Sequence, residues 1–268
     1  MTAQGGRRSV KRQLARASLG LGRPADGATL LIYHRVGGGS PDERDVTTAD
    51  FVQQLDALPP GTVVPLDTAA DRLESGDGSP SVVLTFDDGF DDVYINAWPH
   101  LRERRLPFTI YLASGYVGGT MHWEGSTAKA AGPALTWDQL GEMVASGLCT
   151  VGNHTRSHAR PEALTETELD LCSEDVERHV RVRPRHFAYT WGVPVPEMEP
   201  ALRARFRTAA TGRLGRNRPG VDLLRLRRVP VRRTDPVEFF RVKLVGALGP
   251  ERAYAGIVAV AKKVGARA

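Results

Sequence analysis

The chain of 268 residues is 41% hydrophobic and 25% charged, which suits one large α/β domain or two small ones and excludes a fibre, a disulfide scaffold and a disordered chain. The net charge of +5 is unevenly spread: residues 1–23 carry six basic side chains and no acid, residues 201–233 carry eleven arginines and one acid (Asp222), and residues 24–200 carry 13 basic and 27 acidic residues. No nucleic-acid recognition motif accompanies this charge, which argues against a nucleic-acid binder; the arginine-rich stretch reads as a solvated face, with contact to an anionic sugar or lipid phosphate as the alternative.

From the amino end, residues 1–26 read as a flexible basic tail, with a short amphipathic helix from Lys11 to Leu21 on an anionic membrane as the alternative. No apolar run of signal-peptide length follows, and no stretch approaches the roughly 20 apolar residues that span a bilayer. A cytoplasmic location, or a peripheral one at the inner membrane surface, is therefore expected. Residues 27–268 read as a single catalytic domain. Thr29–Tyr33 is a buried strand. Thr47 and Asp50 have capping-box spacing, and Phe51, Leu55 and Leu58 follow at helical intervals. Ser81–Phe86 is a second strand, Asp91–Arg104 a helix, and Phe108–Leu112 a third strand. Gly115–Pro133, rich in small residues and without a period, is a loop. Thr136–Ser146 is a helix stopped by Gly147, Cys149–Gly152 a short strand, and Thr165 and Glu168 open a helix to about Val180. Strands follow at Phe187–Tyr189, at Arg207–Ala210 and within Asp222–Val231, then helices near Asp235–Gly246 and Glu251–Val264. No internal repeat is present. Cys149 and Cys172 fit neither a disulfide framework nor a zinc knuckle and read as buried thiols. Seven or eight mainly parallel strands interleaved with helices predict a distorted or incomplete (β/α) barrel, whose chemistry gathers at the carboxyl ends of its strands.

Four motifs sit at such ends. Thr85-Phe86-Asp87-Asp88-Gly89 places two adjacent carboxylates after the second strand. They share a site only if the backbone turns there, which Gly89 permits, and they crowd unless a cation or a proton relieves them. His154-Thr155-Arg156-Ser157-His158 places two imidazoles four residues apart, on one face of a helical turn, where they can bind one metal. Together with an aspartate they form a familiar zinc set that leaves positions open for water and substrate. Phe187-Ala188-Tyr189-Thr190-Trp191-Gly192 and Tyr33-His34-Arg35 also follow strands. Each is weak alone, reading as packing and as a structural histidine respectively.

Together TFDDG, HTRSH and FAYTWG resemble the motifs of the polysaccharide deacetylases, the carbohydrate esterase family 4 or NodB-homology enzymes. The resemblance runs from about Thr29 to about Val231, and LIYHRV, ALTWDQLGEMVASG and NRPGVDLLRLRRVPV are similar to the exopolysaccharide-processing branch. It implies a hydrolase that removes N-acetyl groups from the amino sugars of a polysaccharide or glycoconjugate. It further implies a divalent metal on Asp88, His154 and His158 (zinc first, with cobalt, nickel or manganese as alternatives), Asp87 as general base, and a backbone N–H near Trp191 in the oxyanion hole. The sequence departs from the pattern in three places. The third-motif arginine that braces the catalytic aspartate in many members is replaced by Ala188, leaving Arg185 as a candidate brace. The usual proline is Thr190. The late Leu-x-His motif is absent, which makes His34 the candidate acid, with His122 next. Two alternatives remain: a metal-dependent amidohydrolase acting on a small non-sugar amide, and an inactive carbohydrate-binding homologue. The second is disfavoured because Asp87 and all three ligand-type residues are present.

Overall fold

The computed structural model describes residues 3–18, 26–123 and 131–265. Seven strands form the centre: β1 (Ala28–Tyr33), β2 (Ser81–Asp88), β3 (Phe108–Leu112), β4 (Cys149–Asn153), β5 (His186–Ala188), β6 (Thr208–Leu214) and β7 (Leu226–Pro230). They pair in parallel in chain order, and β7 returns to β1, so the barrel is closed. Every residue of β1 and β2 is buried. That explains their unbroken apolar runs, because strands covered on both faces lose the alternation of a half-exposed sheet. Leu30 of β1 lies opposite Val83 of β2 and Arg228 of β7. The expected distortion is local. The register of β6 against β7 shifts between Ala210 and Leu214, and β4 meets β5 at one aligned pair, Asn153 with Phe187.

Helices cover the outside: α1 (Ala3–Arg16), α2 (Thr48–Asp56), α3 (Leu66–Ser75), α4 (Trp98–Glu103), α5 (Trp137–Ala145), α6 (Glu166–Val180), α7 (Glu199–Arg205), α8 (Val237–Leu244) and α9 (Gly249–Gly265). The caps follow the sequence. Thr47 accepts from the Asp50 N–H, and Thr136 forms a reciprocal box with Gln139. The helix expected over 91–104 instead opens with a π-turn at Val93–Ala97. Pro99 has no N–H to give the carbonyl four residues back. The loop expected at 115–133 contains a small ribbon, Thr120–Met121 against Gly132–Pro133; residues 124–130 lie outside the described residues. Both cysteines are free and buried, and no described helix is long and apolar enough to cross a membrane.

The amino-terminal segment differs from expectation. Residues 3–16 are helix α1 rather than a flexible tail, packed on α8 and α9; residues 19–25 lie outside the described residues. Lys11 is fully buried, its Nζ 2.6 Å from Asp235 Oδ1 and 2.8 Å from Thr234 Oγ1. Lys243 donates to the other oxygen, Asp235 Oδ2, at 2.6 Å. The ammonium of Lys11 also lies 4.3 Å from the Tyr254 ring centroid. Local reading treats a basic, glycine-containing start as solvated because the carboxylate that neutralises Lys11 is 224 positions away.

Asp235→Ala would strand the buried ammonium of Lys11 and leave Lys243 with Glu251 alone, and we expect it to lower unfolding stability by about 3–5 kcal/mol, measured by urea titration. Burial pushes the Asp235 carboxyl up, but Lys243 and Lys11 more than offset this and hold it down at about 2. The folded pKa is depressed, so this contribution is present above the ordinary carboxylate range near pH ~4. It should fade as pH falls toward 2 in the wild type and be absent from the variant at all pH.

Candidate active site

The motif residues meet at the carboxyl ends of the strands. Asp87 and Asp88 are the last two residues of β2. In a regular strand their side chains would point to opposite faces. The chain turns at Asp88 itself, with φ of 77°, before Gly89 continues the turn at 106°. The conformational demand thus falls on the carboxylate as well as on the glycine, and both acids line one cleft of about 290 Å³.

The HTRSH segment follows β4 but is not the expected helical turn. Thr155 and His158 take φ of 64° and 54°, and a loop brings the rings together. Its polar groups are held from every side. Asn153 Oδ1 accepts from Thr155 N at 2.9 Å, while its Nδ2 donates to Leu169 O and Ser173 Oγ on α6. Glu168, predicted to complete a helix cap, instead accepts the N–H groups of Arg156 and Ser157 at 2.9 and 2.8 Å and the Ser157 hydroxyl at 2.9 Å. Thr190 Oγ1 donates to Ala159 O at 2.6 Å. These bonds hold two left-handed non-glycine residues that an unsupported chain would relax.

The result is a convergent triad. His154 Nε2 and His158 Nε2 lie 3.5 and 3.4 Å from Asp88 Oδ1, and the three ligand atoms fall within 4.8 Å of one another. Ligand atoms placed tetrahedrally about a zinc-sized ion at 2.0–2.1 Å are separated by about 3.3 Å, so the donor set fits a divalent cation. His154 Nδ1 is 2.8 Å from Ala188 O. That carbonyl can only accept, so Nδ1 carries the proton and Nε2 presents its lone pair inward. Burial favours the neutral, ligating form of His158 and lowers its pKa against the pull of Asp88. Burial is also the largest influence on Asp88 and would raise it, but His154 and His158 outweigh burial and hold the carboxyl well below its ordinary value. Trp123 stacks on His158 with ring centroids 4.0 Å apart.

Asp87 is braced by a residue that the motifs do not mark. Arg228 of β7, 1% exposed, places Nη1 2.6 Å from Asp87 Oδ1 while its Nε donates to Thr211 O at 3.0 Å. Burial pushes the Asp87 carboxyl up; Arg228, His154 and His34 together bring it below its ordinary value. Arg185, the sequence candidate for this brace, pairs instead with Asp67 at 3.4 Å on the exterior. The reading of residues 201–233 as a solvated face therefore fails at Arg228. A signal was available: in β7 (LRRVP) the two arginines occupy consecutive positions, so one of them must face inward.

His34, half-buried at the end of β1, lines the same cleft as Asp87, Asp88, His154 and His158. Burial lowers its imidazole pKa, and Asp88 and Asp87 oppose the shift. His122 is exposed, and its neighbour Trp123 forms the wall instead. Trp191 is 36% exposed at φ of 60°, and its backbone N–H has no acceptor among the described residues. Gly192 behind it lies against Gly212 so closely that a Cβ would sit 2.7 Å from the Gly212 Cα. The motif's glycine thus lets the β5 loop seat on β6.

Residues 74–203 match the profile of the family described as polysaccharide deacetylase. Among solved structures, IcaB from Ammonifex degensii is 32% identical over 81% of this chain and 96% of its own, with a TM-score of 0.69. BC0361, a polysaccharide deacetylase from Bacillus cereus, shares the fold at 23% identity and a TM-score of 0.68, over 82% of this chain and 69% of its own. YxkH of Bacillus subtilis, a curated relative named for the same family, is 28% identical over 142 residues, which is 51% of this chain and 45% of that protein. The match thus spans less than half of YxkH.

Glu168→Ala removes the acceptor for three donors of the HTRSH loop. We expect a loss of about 1–3 kcal/mol and faster hydrogen exchange at the Arg156 and Ser157 amides, read by NMR. Unchanged exchange at both amides would show that Glu168 does not hold the loop.

Proposed function

This chain belongs to the polysaccharide deacetylase family, and from that membership we propose that it is a divalent-metal-dependent hydrolase that removes N-acetyl groups from the amino sugars of a polysaccharide or glycoconjugate. The observation that carries the reading is the convergence of Asp88 Oδ1 with the Nε2 atoms of His154 and His158, beside a second buried carboxylate with its own cationic partner. Asp88, His154 and His158 would hold the metal, with zinc the first choice and cobalt, nickel or manganese as alternatives. Bound there, the ion supplies Lewis acidity toward the acetamide carbonyl and toward water.

The chain's own groups do the rest. Asp87 takes the proton from the attacking water, and its ion pair with Arg228 fixes the carboxylate while leaving the second oxygen for this task. The Trp191 N–H, free of a described protein acceptor, faces the oxygen that gains negative charge. His34 delivers a proton to the nitrogen of the leaving amine. It is the histidine that both follows a barrel strand and lines the cleft outside the ligand set, and its imidazole takes up the proton that Asp87 has accepted from water and passes it to the amine. Trp191, exposed at the cleft, supplies an aromatic face suited to a sugar ring, beside the buried wall that Trp123 forms. That exposed face favours a saccharide over a small non-sugar amide.

Three variants separate these roles. His154→Ala is expected to lose most of the bound metal on elemental analysis, and full occupancy in that variant would remove the ligand assignment. Asp87→Asn is expected to keep metal and fold while turnover on an N-acetylated amino-sugar oligomer falls by roughly 10²–10⁴-fold. His34→Ala is expected to keep metal content while turnover drops strongly; wild-type rates there would pass the acid role to another group.

A further inference from the structure

Six of the eleven arginines between 201 and 233 are engaged by acids of the fold: Arg203 by Asp222, Arg205 by Asp170, Arg207 by Asp67, Arg225 by Glu199, Arg228 by Asp87 and Arg232 by Glu251. Arg216 uses its guanidinium on the carbonyls of Asp26, Gly27 and Leu244. Two others, Arg218 and Arg227, are exposed and form no ion pair with any described residue, and both line one open groove of about 630 Å³. Arg252, equally without a described ion-pair partner, enters the same groove from the first turns of the 17-residue helix α9, whose amino end adds positive potential. No acid lines it. The groove lies beside the amino end of β1, where Arg216 grips Asp26 and Gly27, whereas the catalytic cleft lies at the carboxyl ends.

We propose that this groove is a second saccharide-binding site, distal to the cleft, that takes a negatively charged glycan segment through the guanidinium groups of Arg218, Arg227 and Arg252. Its volume is in the range of ligand sites and far exceeds that of a single inorganic anion. Pro219 and Leu248 give it apolar patches for the C–H face of a sugar ring, and planar guanidinium groups match carboxylate or phosphate oxygens in pairs. A concave lining suits a chain laid into it rather than a flat lipid surface. The site is built around the arginine stems. A Cβ on Gly215 would stand 2.3 Å from Arg227 Cδ, so only glycine lets that side chain lie where it does. The saccharide half of the inference rests on the deacetylase reading; the anionic half rests on the groove alone.

The test is calorimetric titration of the full chain with a galacturonate oligomer and with a neutral maltose oligomer of the same length. We expect the wild type to bind the first and not the second. The double variant Arg218→Glu, Arg227→Glu should weaken binding tenfold or more, corresponding to about 1.4 kcal/mol, and Arg252→Gln should weaken it by a smaller factor. Arg213→Glu, at an exposed arginine outside the groove, should bind within about twofold of the wild type, the size expected of a long-range charge effect. If the double variant does not fold, Arg252→Gln alone, with Gly215→Ala, decides. Absence of wild-type binding, equal binding of the neutral oligomer, or equal weakening by Arg213→Glu overturns the proposal. So does binding of phosphatidylglycerol vesicles without the oligomer, which would assign the groove to a membrane. Hydrolysis of a small neutral acetamido sugar should be the same in the wild type and the groove variants, so loss of catalysis and loss of this site are separable.

Discussion

Two neighbouring carboxylates buried at the mouth of a barrel repel each other, and each loses its hydration. Without compensation at least one would take up a proton. Here the two meet different partners from different directions. Asp87 faces Arg228, carried on β7, and Asp88 faces a pair of imidazoles carried on the loop after β4. The arrangement requires a closed barrel, because β7 comes near β2 only through β1, with which both pair. It also gives the two acids different chemistry. One is tied to a permanent cation; the other meets two imidazole nitrogens with which it could share a metal.

The backbone bears the consequence. Among the described residues six non-glycine positions have positive φ, and four of them, Asp88, Thr155, His158 and Trp191, belong to the motifs of the cleft. Such conformations cost on the order of 1–3 kcal/mol each and persist where surrounding bonds over-determine them. Asn153, Glu168 and Thr190 provide that over-determination for the HTRSH loop. Rigidity here serves preorganisation, since the donor atoms are already at ligand-like separations.

What could be read from the sequence follows a physical division. Strands buried on both faces announce themselves as SVVLTF and FTIYL, and the helix caps at Thr47, Thr136 and Thr165 fall where side-chain chemistry demands them. The site was legible as far as its parts are local: acids after one strand, imidazoles after another. Contacts spanning the barrel left little local trace. Arg228 and Asp87 are 141 positions apart, and the alternation of LRRVP turns one arginine inward without naming its partner. The same holds for Lys11, whose charge marked it as solvated until the fold supplied Asp235. The helical reading of HTRSH failed because spacing fixes which residues approach, not the backbone path between them.

The pairing of β1 with both β2 and β7 also sets an order of events in time. On a ribosome, β1 and β2 can meet early, but the seam between β1 and β7 waits for Leu226–Pro230, and Lys11 waits longer still for Asp235 and Lys243. Contacts of such long sequence separation slow folding. Until they form, Lys11 has no carboxylate to neutralise it. Barrel closure and neutralisation of Lys11 therefore come late and together, after the segments that they join have both been made.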